Sequence, residues 1–476
     1  MRMKRRIWVI LLTLTMLLGS VVPSFGATTP PELIGETAIV MDMKTGEILM
    51  EKNAHEQRYP ASTTKVMTAI LTLEHYKDLN EQLVVDDVTP YEVEGSHIAL
   101  EPKEVLTVHQ LLGGLLTESA NDCALVLGKH IGGSTEDFAR MMNEKAKALG
   151  ALNTNFVNPN GLHEPEHKST AYDLAMIARY AMTNPVISDT FREFVTTYKY
   201  EIPVTNIKKE MRHLYNTNRL LYDTVNKVYV GNQKRVCKYE GVTGVKTGYT
   251  SHAGGCLIAS AERNGTEILT VTLKSTDMGR FADSIAMLDW AFANYRTVQA
   301  LSQGDHVGEV AVKRGAVKTV QAASATDIFT TIPMESPDTI VTTKVVMDTQ
   351  VQAPVAKNQV VGKIQVYEGE ELVGEYDAVA MEAVEEGGFL SIFGIDNATA
   401  KKIYIWTAVI VLLIVALFWG WVVYKKRQIA RRKARREERQ KRIAEAKAQK
   451  EQTDEEYRKR AEWEKEYEKR YENRYK

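Results

Sequence analysis

Pro60-Ala61-Ser62-Thr63-Thr64-Lys65, followed by the apolar residues Val66, Met67, Ile70, Leu71 and Leu73, reads as the opening of a helix with its buried face behind it. The stretch sets a serine and a lysine three residues apart, so both side chains share one helical face and can hydrogen-bond. Downstream come Ser119-Ala120-Asn121 and then Lys246-Thr247-Gly248. Each triplet alone is weak. In this order they are the parts of a serine acyl-transfer site whose base is a lysine.

The chemistry explains the residue types. A serine hydroxyl is a poor nucleophile until a base takes its proton, which makes Ser62 the candidate nucleophile and Lys65 its base. A lysine serves as base only if desolvation or a nearby cation lowers its pKa, and Lys246 is the candidate cation. Ser119 is expected to bridge the two lysines and relay the proton to a leaving amine. Asn121 is expected to orient Lys65 and a substrate amide. Thr247 and the open backbone at Gly248 would line an edge strand against which a peptide can lie. No metal, cofactor or nucleic-acid partner is expected.

Two stretches imitate functional motifs. Lys44-Thr45-Gly46 also spells K-T-G, but it precedes Ser62 and occupies a turn between the expected strands 37–42 and 47–50. His163-Glu164-Pro165-Glu166-His167 is a literal H-E-x-x-H. Its zinc form needs both histidines one turn apart on a helix, and Pro165 opposes helix there. These histidines are expected on a loop surface.

The chain of 476 residues has a net charge of -1 that conceals an asymmetry. Residues 425–476 hold 21 Lys+Arg and 12 Asp+Glu, a local +9, which leaves -10 for the rest. Three cysteines, Cys123, Cys237 and Cys256, are too few for a disulfide framework. Arg2, Lys4, Arg5 and Arg6 before an apolar run, with small residues near Gly26, predict an export signal over 1–27. Ile403 to Tyr424 contains no charge and is long enough to span a bilayer. Trp406 near one end, Trp419, Trp421 and Tyr424 near the other, and eight basic residues between Lys425 and Arg436 predict a span with a cytoplasmic C-terminal end.

Between these segments the periodicity predicts helices over 108–130, 137–149, 170–182 and 281–295. Strands are predicted over 255–262 and 266–274. Strands at both ends with helices between them imply one α/β (α+β) domain, 28–298, whose sheet pairs N- and C-terminal segments. Short alternating runs imply a small β-rich domain over 299–384, then a linker, 385–402. The span, 403–424, leads into a basic tail, 425–476, expected as a lone charged helix or disorder because no apolar heptad is sustained.

At this level of detail the chain resembles the D-alanyl-D-alanine carboxypeptidase family of low-molecular-mass penicillin-binding proteins. Besides the three triplets, the likeness rests on Asn158-Pro159-Asn160-Gly161-Leu162, Ser169-Thr170-Ala171 with Asp173, and Asn216-Thr217-Asn218. Gly244-Val245 before Lys246, and Ala253-Gly254 after Gly248, extend it. The resemblance implies a penicillin-recognising serine hydrolase fold, with a helical subdomain on a five-stranded sheet. It also implies attack by Ser62 on the D-Ala-D-Ala bond of peptidoglycan stem peptides, with β-lactams as inhibitors. An oxyanion hole from the backbone amides of Ser62 and Tyr249 follows from it, as does a carboxylate-binding role for Arg280 beside Lys246, Thr247 and Gly248.

Two departures stand out. Tyr249 replaces a histidine common in relatives, and a full span replaces the usual surface anchor. D,D-endopeptidase action, β-lactamase action and a catalytically idle muropeptide receptor remain as alternatives. No E-x-x-L-N segment, the site of the deacylating glutamate in class A β-lactamases, lies between Asn121 and Lys246.

Overall fold

A computed structural model describes residues 29–474. The export-signal segment expected over 1–27 lies outside them. Two compact units are distinguished. The first takes in the chain to Gly308 with Ala322–Met347 and Val360–Val379; the second comprises Glu309–Gln321, Asp348–Gln359 and Ala380–Lys476.

The first unit is organised by an antiparallel sheet of β1 (Thr37–Asp42), β2 (Ile48–Lys52), β3 (Val242–Thr250), β4 (Gly254–Arg263) and β5 (Thr266–Ser275), in the order β2-β1-β5-β4-β3. β1 is buried throughout, and its alternation divides its side chains between two cores. Ile39 and Met41 join one core, while Ala38 and Val40 join the other. Register pairs Ala38 with Thr272 and Val40 with Thr270, so the expected pairing of N- and C-terminal segments holds.

The larger core carries the helices α1 (Lys65–His75), α2 (Val108–Leu116), α3 (Asn121–Gly132), α4 (Thr135–Ala148), α5 (Ala171–Thr183) and α6 (Ser188–Thr196). The other core is covered by α7 (Gly279–Asn294) through Phe281, Ile285, Leu288 and Ala291. β3 is left as an edge.

Two expectations are corrected. The helix expected over 108–130 is broken at Thr117–Ala120. There Thr117 Oγ1 turns back onto the Gly113 carbonyl at 2.5 Å, and Ser119 adopts a left-handed φ of 62°. Apolar periodicity continues across the break, which is why the pattern conceals it. The first turn at Ser62 is also tighter than an α-helix: Ala61–Thr64 is a 3-10 turn that leads into α1.

Farther along the first unit, Tyr295–Leu301 pairs with Ile328–Pro333, and Val341–Met347, Val360–Glu368 and Glu371–Ala380 form an antiparallel ladder. In the second unit the helix α8 (Asn397–Glu472) runs without interruption. The Asp396 carboxylate accepts the Thr399 amide at 2.8 Å as its N-cap. Pairs one turn apart, Arg442 with Glu438 and Lys459 with Glu455, support its polar half.

α6 is tied to β5 by a bidentate pair in which Arg192 Nη1 and Nη2 each donate to Glu267 at 2.8 Å. Glu267 is 6 % exposed in its side chain, and Thr243 Oγ1 donates to it as well. Removing the arginine would strand a buried carboxylate. Arg192→Met is therefore expected to destabilise the protein by about 2 kcal/mol, short of the full cost of breaking a buried pair because Arg192 is partly exposed. The midpoint of urea unfolding measures it, and an unchanged midpoint would show the pair to be ornamental.

Candidate active site

The 3-10 turn leaves Ser62 half-buried, and one turn on Lys65 is fully buried. Lys65 Nζ lies 3.0 Å from Ser62 Oγ, 2.6 Å from Asn121 Oδ1 and 2.6 Å from the Asn160 carbonyl. Asn121 Nδ2 donates to the Glu94 carbonyl at 2.5 Å, which turns its oxygen towards the lysine. Two of the three neighbours can only accept. A neutral amine has two hydrogens for them and one lone pair left, and that lone pair faces the serine hydroxyl. Burial, then the Lys246 charge, holds the Lys65 pKa well below the usual 10.5. The geometry and the downward shift both favour the neutral form of Lys65, with its amine within hydrogen-bond distance of Ser62 Oγ.

The Asn160 carbonyl comes from a loop tied by its own side chains. Asn158 Oδ1 accepts the Gly161 amide at 2.7 Å, Asn158 Nδ2 donates to the Leu162 carbonyl, and Asn160 Oδ1 accepts the Leu162 amide. Thr68 Oγ1 on α1 donates to the Pro159 carbonyl at 2.6 Å. Gly161 has φ 84°, and a Cβ there would stand 2.0 Å from the Ala61 carbonyl oxygen. Ala61 itself is left-handed at φ 51°. The loop and the nucleophile turn are thus packed backbone to backbone.

The opposite wall is β3. Lys246 is buried, and Lys246 Nζ donates to the Thr247 carbonyl at 3.1 Å. Burial, then the Arg280 charge, brings its pKa down to about 7. A Cβ on Gly248 would lie 3.0 Å from the Ser62 amide nitrogen, so glycine lets the strand pass close to the Ser62 turn. Arg280 Nη1 donates to the Gly248 carbonyl at 2.6 Å and Nη2 to Asp277 at 2.7 Å, while Nε is buried without a partner. Thr247 Oγ1 lies 2.5 Å from Thr217 Oγ1. Tyr249 points out, 57 % exposed.

Ser62, Lys65, Asn121, Lys246, Thr247, Gly248 and Arg280 are therefore brought together in one cluster. Ser119 is buried beside them, but among the described residues no hydrogen bond joins its hydroxyl to either lysine. Asn160 and Thr217 carry contacts that the motif reading did not assign, although both stand in stretches the resemblance had marked. The imitation motifs fall elsewhere: Lys44 Nζ donates to the Gly265 carbonyl.

His167 corrects the surface expectation. It is 1 % exposed, accepts the Val157 amide at Nδ1, and lies 2.8 Å from Thr64 Oγ1 through Nε2. A backbone amide donating to Nδ1 places the ring proton on Nε2, and burial pushes the pKa down to about 3. It is a neutral strut behind the nucleophile turn.

The sequence profile described as D-alanyl-D-alanine carboxypeptidase matches residues 25–277, and that described as penicillin-binding protein 5, C-terminal domain, matches 295–386. The chain is 34 % identical to the D-alanyl-D-alanine carboxypeptidase DacF of Bacillus subtilis, over 75 % of this chain and 87 % of that one. It is 32 % identical to DacA of Haemophilus influenzae, over 78 % and 89 %. A crystal structure of penicillin-binding protein 5 from Haemophilus influenzae superposes with a TM-score of 0.62 at 28 % identity, covering 75 % of this chain and all of that one.

Lys246 also gives the site a pH signature. Its pKa is lower folded, about 7, than in an unfolded chain, 10.5. Below pH 7 both states hold the proton and the full cost of the buried charge is present. Between 7 and 10.5 the unfolded chain holds more protons, so stability from this group rises with pH. Lys246→Met should be more stable than wild type by up to a few kcal/mol at pH 7, at about 1.4 kcal/mol per pH unit. The gap should narrow at pH 9. Urea titrations of the full chain in detergent at both pH values test this, and a pH-independent gap would contradict it.

Proposed function

The chain belongs to the D-alanyl-D-alanine carboxypeptidase family of serine-type peptidases, and from that premise we propose that it removes the terminal D-alanine of peptidoglycan stem pentapeptides through an acyl-enzyme on Ser62. The observation that carries the reading is the buried Lys65 lying 3.0 Å from Ser62 Oγ with its other two neighbours both acceptors.

The steps follow from the residues. Ser62 Oγ attacks the carbonyl carbon of the penultimate D-alanine as its proton passes to Lys65 Nζ. The developing oxyanion is met by the amides of Ser62 and Tyr249. Collapse breaks the C–N bond, and the departing amine takes the proton from Lys65, with Ser119 as relay once substrate fills the cleft. Water then attacks the ester and gives its proton to Lys65, and the ester C–O bond breaks as Lys65 passes that proton to Ser62 Oγ, which releases the shortened peptide as its acid. Lys246 and Arg280, with Thr247, supply the cationic end of the cleft for the terminal carboxylate. A β-lactam would acylate the same serine.

We also propose the organisation 28–298 catalytic, 299–384 β-rich, 403–424 membrane-spanning and 425–476 cytoplasmic, with the first 27 residues as export signal. The span is supported by a helix window of hydropathy 2.5 with none of it buried, a surface that water alone would cover poorly. The whole would act in bacterial cell-wall maturation from the outer side of the membrane.

D-alanine release from a pentapeptide muropeptide by the full chain in detergent should be abolished in Ser62→Ala, together with labelling by fluorescent penicillin. Release surviving in that variant would sink the nucleophile assignment. Protease added to intact cells should spare the segment 425–476, and its digestion would contradict the proposed topology.

A further inference from the structure

Next to the nucleophile turn two histidine rings lie face to face, with centroids 3.7 Å apart and planes within 6°. His163 belongs to the loop after Gly161, and His252 to the turn that follows β3. The two come from opposite sides of Ser62: one from the loop that packs on the Ala61 carbonyl, the other from the strand whose Gly248 passes the Ser62 amide. Tyr59, three residues before Ser62, sets its ring edge-on against His163 at 4.6 Å. The backbone of His252 is held from the far side, where Lys274 Nζ donates to its carbonyl at 2.6 Å. An unbroken series of contacts thus runs from Tyr59 through His163 and His252 to β5.

We infer that the His163–His252 stack is a clamp that positions the end of β3, and with it the Tyr249 amide, relative to the Ser62 amide during acyl transfer. The inference rests on the acyl-enzyme reading above. Both residues are positioning residues, touching neither the reacting atoms nor the two lysines. Tyr249 needs such a brace because β3 is an edge strand, paired among the described residues with β4 alone. On the reading above, its free side would receive the substrate peptide. Oxyanion donors stabilise the transition state only when held where charge develops, and a misplacement of about 1 Å can cost roughly 100-fold in rate. Loss of the clamp therefore falls on the acylation step more than on binding.

The test compares His252→Ala, His252→Phe, His163→Ala and the double alanine variant in the full chain in detergent. The readouts are kcat and KM for D-alanine release, and the rate constant of acylation by fluorescent penicillin per labelled site. Each single alanine variant should lower kcat and the acylation rate constant by about tenfold, a partial misplacement, with KM within about twofold. His252→Phe, which keeps a flat ring against His163, should recover most of the loss. The double alanine variant should be no worse than either single one, because the two rings act as one unit. Wild-type kcat in His252→Ala, no recovery in His252→Phe, or additive losses in the double variant would each overturn the clamp. So would a smaller labelled fraction reacting at an unchanged rate constant, since that reports loss of fold. Ser62→Ala run alongside separates the two readings: release surviving there defeats the acyl-enzyme, while wild-type behaviour of His252→Ala beside an inert Ser62→Ala defeats the clamp alone.

Discussion

Lys65 sits in the interior with no carboxylate among its three neighbours, and the site depends on that arrangement. Transferring an unpaired ammonium out of water is too costly to sustain, so the group gives up its proton instead. Neutrality would suit it to the base role proposed above, and the two fixed acceptors leave its lone pair for Ser62. Asp122, the residue after Asn121, is occupied by the amides of Ile98, Leu100 and Cys123. That arrangement keeps a negative charge near α3 without pairing it to the lysine.

Holding the lysine dry requires backbone in unfavourable conformations on both sides of it. Ala61 and Ser119 have left-handed φ values of 51° and 62°. Each costs roughly 1–2 kcal/mol for a residue with a Cβ. The surrounding core over-determines them: Ala61 and Ala120 are both buried in the larger cluster. The glycines at 161 and 248 then let two further backbones approach the nucleophile turn, one from each wall. The close approaches meet at the turn that carries Ser62, while the β1–β5 pairing keeps a regular register from Thr37 to Asp42.

Much of this was legible beforehand. The order of the three triplets indicated which K-T-G belongs to the site, and alternation identified β1, β4 and β5 closely. The failures have particular causes. The break between α2 and α3 was hidden because Leu111, Leu115 and Cys123, Val126 keep a helical apolar period across it, all packing into one core. His167 was misplaced because a polar residue in a turn-rich stretch gives no sign of the buried Thr64 hydroxyl waiting for it. Ser119 was expected to touch both lysines on motif grounds, whereas rotamer and backbone angle decide whether a hydroxyl reaches.

The sequence by itself picked out Ser62, Lys65, Lys246 and the edge strand that the fold brings together, because spacing along one helix face or one strand is a local property that side-chain types reveal. It also determined the apolar helix within α8, because composition alone sets hydropathy. Only the tertiary structure decided which groups would dry and orient the base. Asn160 reaches Lys65 across 95 residues and Asn121 across 56. The rings of His163 and His252 meet only because the loop after Gly161 and the end of β3 converge beside Ser62. Contacts of that kind depend on how distant backbones pack, and no periodicity in the chain encodes them.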